Sequence, residues 1–182
     1  NNLGGASEAW STGVGINDAG HVTGYKDQEA GGRRAYIYDG TSMTTIGTLG
    51  GNMSEGMGIN NMGQVVGQSE TRSGRRHAFI YDMSDGIMHD LGTLWGEYSE
   101  GNAINDAGQV AGSVWNAEHN RAHAMFYDGS TMHDLGSLGG SSVAGGLNEA
   151  GQVVGSTEVD YGPRHAFLWN GSEMRDLGKL AG

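Results

Sequence analysis

The stretch that decides the fold is residues 56–96, GMGINNMGQVVGQSETRSGRRHAFIYDMSDGIMHDLGTLWG. It is written four times along the 182 residues. Its anchor asparagines, Asn17, Asn60, Asn105 and Asn148, are spaced by 43, 45 and 43 residues. A period of this size belongs to solenoids, propellers and arrays, whose units each need a neighbour to cover an apolar face. The repeats run over about 6–51, 52–96, 97–140 and 141–182, and together form a single repeat domain over 1–182. Residues 1–5 read as the tail of a preceding repeat or a closing strand, because Leu3-Gly4-Gly5 matches Leu49-Gly50-Gly51.

Each repeat predicts four short strands. The first is a Gly-rich run ending at the anchor Asn. A turn follows (DAG, NMG, DAG, EAG), then HVTG, QVVG, QVAG or QVVG as the second strand. A variable polar loop leads to the third strand (RAYIYD, HAFIYD, HAMFYD, HAFLWN). The fourth is TIGTL, DLGTL, DLGSL or DLGKL. Short β-branched and aromatic runs cut by Gly, Asn and Asp are all-β punctuation. In the turn, Asn bonds its own backbone while Gly20, Gly63, Gly108 and Gly151 accept positive φ, which suits a hairpin with a left-handed Gly.

Alternation in HAFIYD sends His77, Phe79 and Tyr81 to one face and Ala78, Ile80 and Asp82 to the other. Both faces carry apolar groups, so the sheet must be covered on both sides. The predicted fold is therefore a β-propeller of four four-stranded blades. A β-solenoid, or part of a larger propeller, is the alternative. The glycines of the first strand (Gly13, Gly15, Gly56, Gly58, Gly101, Gly145, Gly146) are expected to let backbones crowd at the hub.

The HAF of repeats two and four, with GINNMGQVVG and the DLG-Leu-Gly-Gly ending, is similar to the HAF repeat, a family of bacterial extracellular repeats. The resemblance spans the whole chain; repeat one departs from it (RAYIYD, TIGTL) and repeat three reads HAMF. It implies a secreted or cell-surface location. It brings no activity, cofactor or catalytic residue.

A net charge of −11 disfavours nucleic acid and anionic membranes. Cysteine is absent, which excludes disulfides and thiolate chemistry. No apolar run is long enough to insert into a membrane. The chain opens on Asn1 with no signal segment in view, which reads as a processed or trimmed start.

Four residue sets bear on function. His77, His123 and His165 open third strands, and Asp90, Asp134 and Asp176 open the fourth strands of the same repeats. Repeat one changes both, to Arg34 and Thr45, so the two positions are read as structural His–Asp pairs in contact. The turn residues Asp18, Asp106 and Glu149, with Asn61 as neutral member, form an acidic rim whose oxygens suit Ca2+; ordinary turn chemistry is the competing reading, and no metal or other cofactor is assigned. Trp10, Trp95, Tyr98, Trp115 and Tyr161 break the repeat in loops and are the ligand-binding candidates, since a ring offers an apolar face and a polar edge. No nucleophile elbow, HExxH or phosphate loop exists, so no catalytic residue is assigned. The function expected is a non-enzymatic binding or adhesion module for glycan or protein ligands. The alternatives are a structural unit that self-associates into an array or filament, and a polysaccharide-acting enzyme with a His–Asp hub site.

Overall fold

A computed structural model describes residues 10–29 and 31–178. They form sixteen strands in four antiparallel sheets of four, each in chain order. The first sheet holds β1 (Ser11–Ile16), β2 (Val22–Asp27), β3 (Arg33–Tyr38) and β4 (Met43–Thr45). The second holds β5 (Gly50–Ile59), β6 (Gln64–Thr71), β7 (Arg76–Asp82) and β8 (Ile87–Gly92). The third holds β9 (Ser99–Ile104), β10 (Val110–Asn116), β11 (Arg121–Tyr127) and β12 (Met132–Gly136). The fourth holds β13 (Gly139–Leu147), β14 (Val153–Val159), β15 (Arg164–Trp169) and β16 (Met174–Asp176). This is the blade architecture of a β-propeller, one blade per sequence repeat. The segments around Leu3 and Leu180, on which ring closure turns, lie outside the described residues.

The blades stack through three apolar seams, and the alternation of the third strand builds them. Ala35 and Ile37 of the first blade meet Ile59, Val65 and Phe79 of the second. Ala78 and Ile80 of the second meet Val110, Val114 and Met125 of the third. Ala124 and Phe126 of the third meet Ala144, Val153 and Phe167 of the fourth. Each seam thus sets an Ala-x-Ile or Ala-x-Phe face of one blade against a Phe or Met and a Val of the next. Val65, Val66, Phe79, Met125, Val153 and Phe167 are completely buried. At about 25 cal/mol per Å2, burial of such side chains is the dominant stabilising term.

A serine crosses each seam. Ser54 Oγ accepts the Ala35 N–H at 3.0 Å and donates to the Gly47 carbonyl at 2.5 Å. Ser99 does the same for Ala78 (2.8 Å) and Gly92 (2.5 Å), and Ser142 for Ala124 (2.8 Å) and Gly136 (2.5 Å). The bulge at the end of the fourth strand leaves these backbone groups without a ladder partner, and a buried unpaired amide would cost about 1–3 kcal/mol.

The inner strands carry a bulge in each blade, between Gly13 and Gly15, Gly56 and Gly58, beside Gly101, and between Ala144 and Gly146. The expected crowding of backbones is present at Gly15, Gly56 and Gly58, where a Cβ would come 3.2 Å from Gly58 Cα, 3.0 Å from the Gly24 carbonyl oxygen and 3.3 Å from the Asn102 carbonyl oxygen of the adjacent blade, and absent at Gly145, which faces open space. The tightest glycines lie on the second strands. A Cβ on Gly24, Gly67, Gly112 or Gly155 would fall 1.8, 1.8, 1.9 or 2.0 Å from the carbonyl oxygen of Thr12, Glu55, Glu100 or Val143. The bulged inner strand folds its carbonyl onto its neighbour, and only a hydrogen fits between them.

The anchor asparagines build a second set of cross-blade links. In the turn, Asn60 Oδ1 accepts the Gln64 N–H at 2.8 Å and the Met62 N–H at 3.1 Å, while Gly63 sits at φ 79°. The side-chain amide then reaches the next blade: Asn17 Nδ2 donates to Asn60 O (3.0 Å), Asn60 Nδ2 to Asn105 O (2.9 Å) and Asn105 Nδ2 to Asn148 O (3.0 Å). Asn60→Ala removes both functions from a buried position and should lower unfolding free energy by about 2 kcal/mol. The shift in urea midpoint of the variant measures it.

Candidate rim site

Because the strands run antiparallel in chain order, the turns joining first to second and third to fourth strands lie at one end of every sheet. The loops joining second to third strands, and the links between blades, lie at the other.

The first end holds the acidic turn residues, and their arrangement is a hydrogen-bonded chain. The Asp18 N–H donates to Asn61 Oδ1 at 2.9 Å, the Asn61 N–H to Asp106 Oδ1 at 2.8 Å, and the Asp106 N–H to Glu149 Oε2 at 3.2 Å. Asn61 Nδ2 also donates to Asp18 Oδ2 at 3.0 Å and to Asp106 Oδ2 at 3.2 Å. A carboxylate at 61 would face two others, so the neutral member is the donor the chain requires. Among the described residues no three His, Asp or Glu side chains gather into a metal-holding group.

The His–Asp positions sit within single blades. His77 Nδ1 lies 2.9 Å from Asp90, His123 Nδ1 3.0 Å from Asp134, and His165 Nδ1 3.0 Å from Asp176. Each Asp also accepts the amide of the Gly two residues on, at 2.7 Å for Gly92, 2.8 Å for Gly136 and 2.7 Å for Gly178. Those glycines are at φ 69°, 69° and 73°, so the pair fixes the turn that launches the next blade. The His165 hydrogen bond, followed by the Gly178 amide, holds Asp176 below the usual carboxylate range. In repeat one Arg34 donates instead to the Asn52 carbonyl of the second blade.

The loop end carries the repeat-breaking aromatics, and they divide in two. Trp10 and Tyr161 are open, at 77% and 75% exposure. Trp95, Tyr98 and Trp115 are half-buried. Trp95 packs on the seam around Val66, Val110 and Met125. Tyr98 donates its hydroxyl to Glu100. Burial, then the Glu100 hydrogen bond and charge, push the Tyr98 phenol far above its ordinary value. The Trp115 amide is tied to the Tyr98 carbonyl at 2.9 Å.

Trp10 stands open and Tyr98 and Trp115 are held by local hydrogen bonds, whereas Trp95 and Tyr161 join a chain of contacts that includes residues no repeat position marks. The edge of Trp95 meets the His123 ring at 6.1 Å and 89°. His119 stacks on His123 at 6.1 Å and 18°. Arg121 Nε donates to the His119 carbonyl at 3.1 Å, and its guanidinium lies 5.0 Å from the centre of the Tyr161 ring. The result is a continuous strip, Trp95–His123–His119–Arg121–Tyr161, running from the second blade to the fourth. His119 falls in the variable loop and Arg121 at the first position of β11 beside it, where no repeat marks them.

Inner strands also place two carboxylates that no repeat position marks. Glu55, 5% exposed, accepts from Arg33 at 2.5 Å and from Gln68 Nε2 at 2.7 Å. Glu100 accepts from Ser113 Oγ at 2.8 Å and from Tyr98. The signal was available as Ser-Glu-Gly at 54–56 and again at 99–101, against Ser-Val-Ala at 142–144. Both carboxylates are engaged by donors, so neither stands as a free base. Gln68 Oε1 and His77 Nε2 are buried without a hydrogen-bond partner. A separate groove of about 470 Å3 opens between the second and third blades, lined by Gln64, Asp82, His89, Asp90, Leu91 and Tyr127 among others.

No family model matches this chain, and no curated protein matches it either. Solved structures do. The chain is similar to the β-propeller domain of the Trilobed protease from Pyrococcus furiosus, which has an open velcro topology, at TM-score 0.60 and 16% identity, over 93% of this chain and 55% of that one. It is similar to TolB from Acinetobacter baumannii at TM-score 0.58 and 17% identity, over 91% of this chain and 45% of that one. It is also similar to the acylaminoacyl peptidase of Pyrococcus horikoshii at TM-score 0.55 and 15% identity, over 93% of this chain and 27% of that one. The chain therefore spans about half the length, or less, of the structures it resembles, and what it shares with them is the β-propeller fold.

Proposed function

We propose that this protein is a non-enzymatic binding module, secreted or displayed at a cell surface, whose ligand surface is the loop end of the propeller. The observation that carries the reading is the Trp95–His123–His119–Arg121–Tyr161 strip, which spans blades two to four on a rigid scaffold. Rings at its two ends can stack on pyranose faces, while His119 and Arg121 supply donors between them for sugar hydroxyls. A glycan is the ligand class this chemistry favours. The net charge of −11 sets it towards neutral rather than acidic glycans. Trp10, exposed on the first blade, extends the same end of the molecule. A surface protein is the second reading, supported by enrichment of Trp, Tyr and Arg, which anchor protein interfaces. The resemblance to HAF repeats supports the extracellular location. In this reading no cofactor is needed, and the rim carboxylates serve the turns rather than Ca2+.

A glycan array followed by calorimetry tests it. Tyr161→Ala and Trp95→Ala should each weaken binding of the array hits by about 10-fold, since one ring stack is worth roughly 0.5–1.5 kcal/mol. An array without hits, or unchanged affinity in both variants, overturns the glycan reading.

A further inference from the structure

Among the described residues, the four blades leave one sheet face at each end without a neighbour, and the two faces match. The forward face of the fourth blade exposes groups that are covered everywhere else. Val154 is 46% exposed where Val66 is completely buried. Leu177 is 54% exposed where Ile46 is 8%. Ala166 is exposed where Ala35, Ala78 and Ala124 are completely buried. On the backward face of the first blade, Ile16 is 70% exposed where Ile59 is 8%. Val22 is half-buried where Val65, Val110 and Val153 are completely buried.

The polar groups of the two faces match as well. Each interior seam joins an alanine N–H and a glycine carbonyl of one blade to a serine hydroxyl of the next. The fourth blade repeats the alanine and glycine as Ala166 and Gly178. The first blade repeats the serine as Ser11, which is exposed and pairs on β2 just as Ser54 pairs on β6, two residues before the Gly opposite the second-strand glycine. Asn148 likewise uses one amide hydrogen on Gln152, at 2.8 Å, and reaches no further blade, whereas Asn60 and Asn105 do. Asn17 offers the carbonyl that such an amide would find.

We propose that the forward face of the fourth blade docks on the backward face of the first blade of a second copy of this chain, repeating the interior seam. Ala166 N–H then donates to Ser11 Oγ, Ser11 donates to the Gly178 carbonyl, Asn148 Nδ2 donates to the Asn17 carbonyl, and the Glu149 amide donates to Asp18. Ile16, Val22, Val154 and Leu177 leave water together. Such a contact is head-to-tail, and closes into a ring when the rotation per copy divides the turn. The chain covers 55% of the length of a β-propeller domain it resembles, so two copies are of the size of one such ring. The assembly is a ring of two chains of 19.0 kDa. It rests on the end faces and is independent of the aromatic strip.

Sedimentation equilibrium of the chain should show the dimer. Ile16→Glu and Leu177→Glu change exposed positions, so the fold survives while a buried unpaired carboxylate weakens dimerisation by on the order of 100-fold. Met62→Glu, also at an exposed position (65%) but within the second blade, should leave it unchanged. The chain has no cysteine, so cross-linking is clean. Asp18→Cys/Glu149→Cys should oxidise to a covalent dimer, and Asn61→Cys/Asp106→Cys, an interior pair, to a cross-linked single chain. Three results overturn the proposal: a monomer at the highest soluble concentration, self-association indifferent to both glutamates, or an Asp18→Cys/Glu149→Cys chain that closes on itself as a monomer.

Discussion

Gly67→Ala should abolish cooperative folding or lower stability by on the order of 4 kcal/mol, one of the largest effects an added methyl group can have among the described residues. Gly67 faces Gly56 across the inner strand pair. A Cβ there would sit 1.8 Å from the Glu55 carbonyl oxygen and 3.1 Å from Phe79 Cε1. The first contact is with backbone, which cannot swing away as a side-chain tip does. Relief would need the bulge to move, and with it Glu55, whose carboxylate holds Arg33 and Gln68. Overpacking of this kind costs about 1–3 kcal/mol in ordinary cores and more where backbone must shift. Gly74 is the informative control. It lies at φ 81° with nothing within 4 Å of a Cβ, so alanine there costs only about 1 kcal/mol, for conformation alone. Thermal melts followed by circular dichroism separate the two; equal shifts would contradict the steric account.

Phe79→Ala is the second large effect, at about 3–5 kcal/mol. The ring is completely buried in the seam with Ala35, Ile37, Ile46, Ile59 and Val65, so its removal leaves a cavity shared by two blades. That loss approaches the whole stability of a small domain, which is about 5–15 kcal/mol. Denaturant unfolding should show the change in midpoint. The same truncation at Leu168, on the uncovered face of the fourth blade, removes less from water and should cost less than half as much in a monomer. Comparable losses at Phe79 and Leu168 would mean that the seams are not where burial is concentrated.

The blades were legible because their rules are local and repeated. A period of 43 to 45 residues, Asn-x-x-Gly turns and two-faced third strands lead to four stacked sheets without any further information. The joint change of His and Asp to Arg34 and Thr45 likewise points to contacts at 2.9–3.0 Å in the other blades. The aromatic loops read less well. A ring that breaks a repeat looks exposed in sequence, yet Trp95 is half-buried against the seam beside Met125 and Tyr98 donates to Glu100. Loop conformation decides that, and loops have no period. His119 was illegible for the same reason, and Arg121, which opens β11, reads in sequence as part of that loop. The seam serines were visible at 54, 99 and 142, but their meaning depends on the bulge that frees an alanine amide, which is a property of backbone pairing across the sheet. The first-strand glycines Gly15, Gly56 and Gly58 were legible as close-approach positions between blades, but the tighter crowding at Gly24, Gly67, Gly112 and Gly155 was not, because it depends on the inner-strand bulge.

The central claim is that neighbouring blades shield each other's faces and are pinned by a serine at each seam. Amide hydrogen exchange reads this directly at Ala35, Ala78 and Ala124, whose N–H groups point to Ser54, Ser99 and Ser142 rather than to a neighbouring strand. The account predicts that these three amides exchange as slowly as the amides of Val66 and Val110 in the blade interiors, with protection near the global limit. If they exchange as fast as the amides of the exposed turns at Ser73 and Gly129, the blades are not packed on one another and the fold described here is wrong.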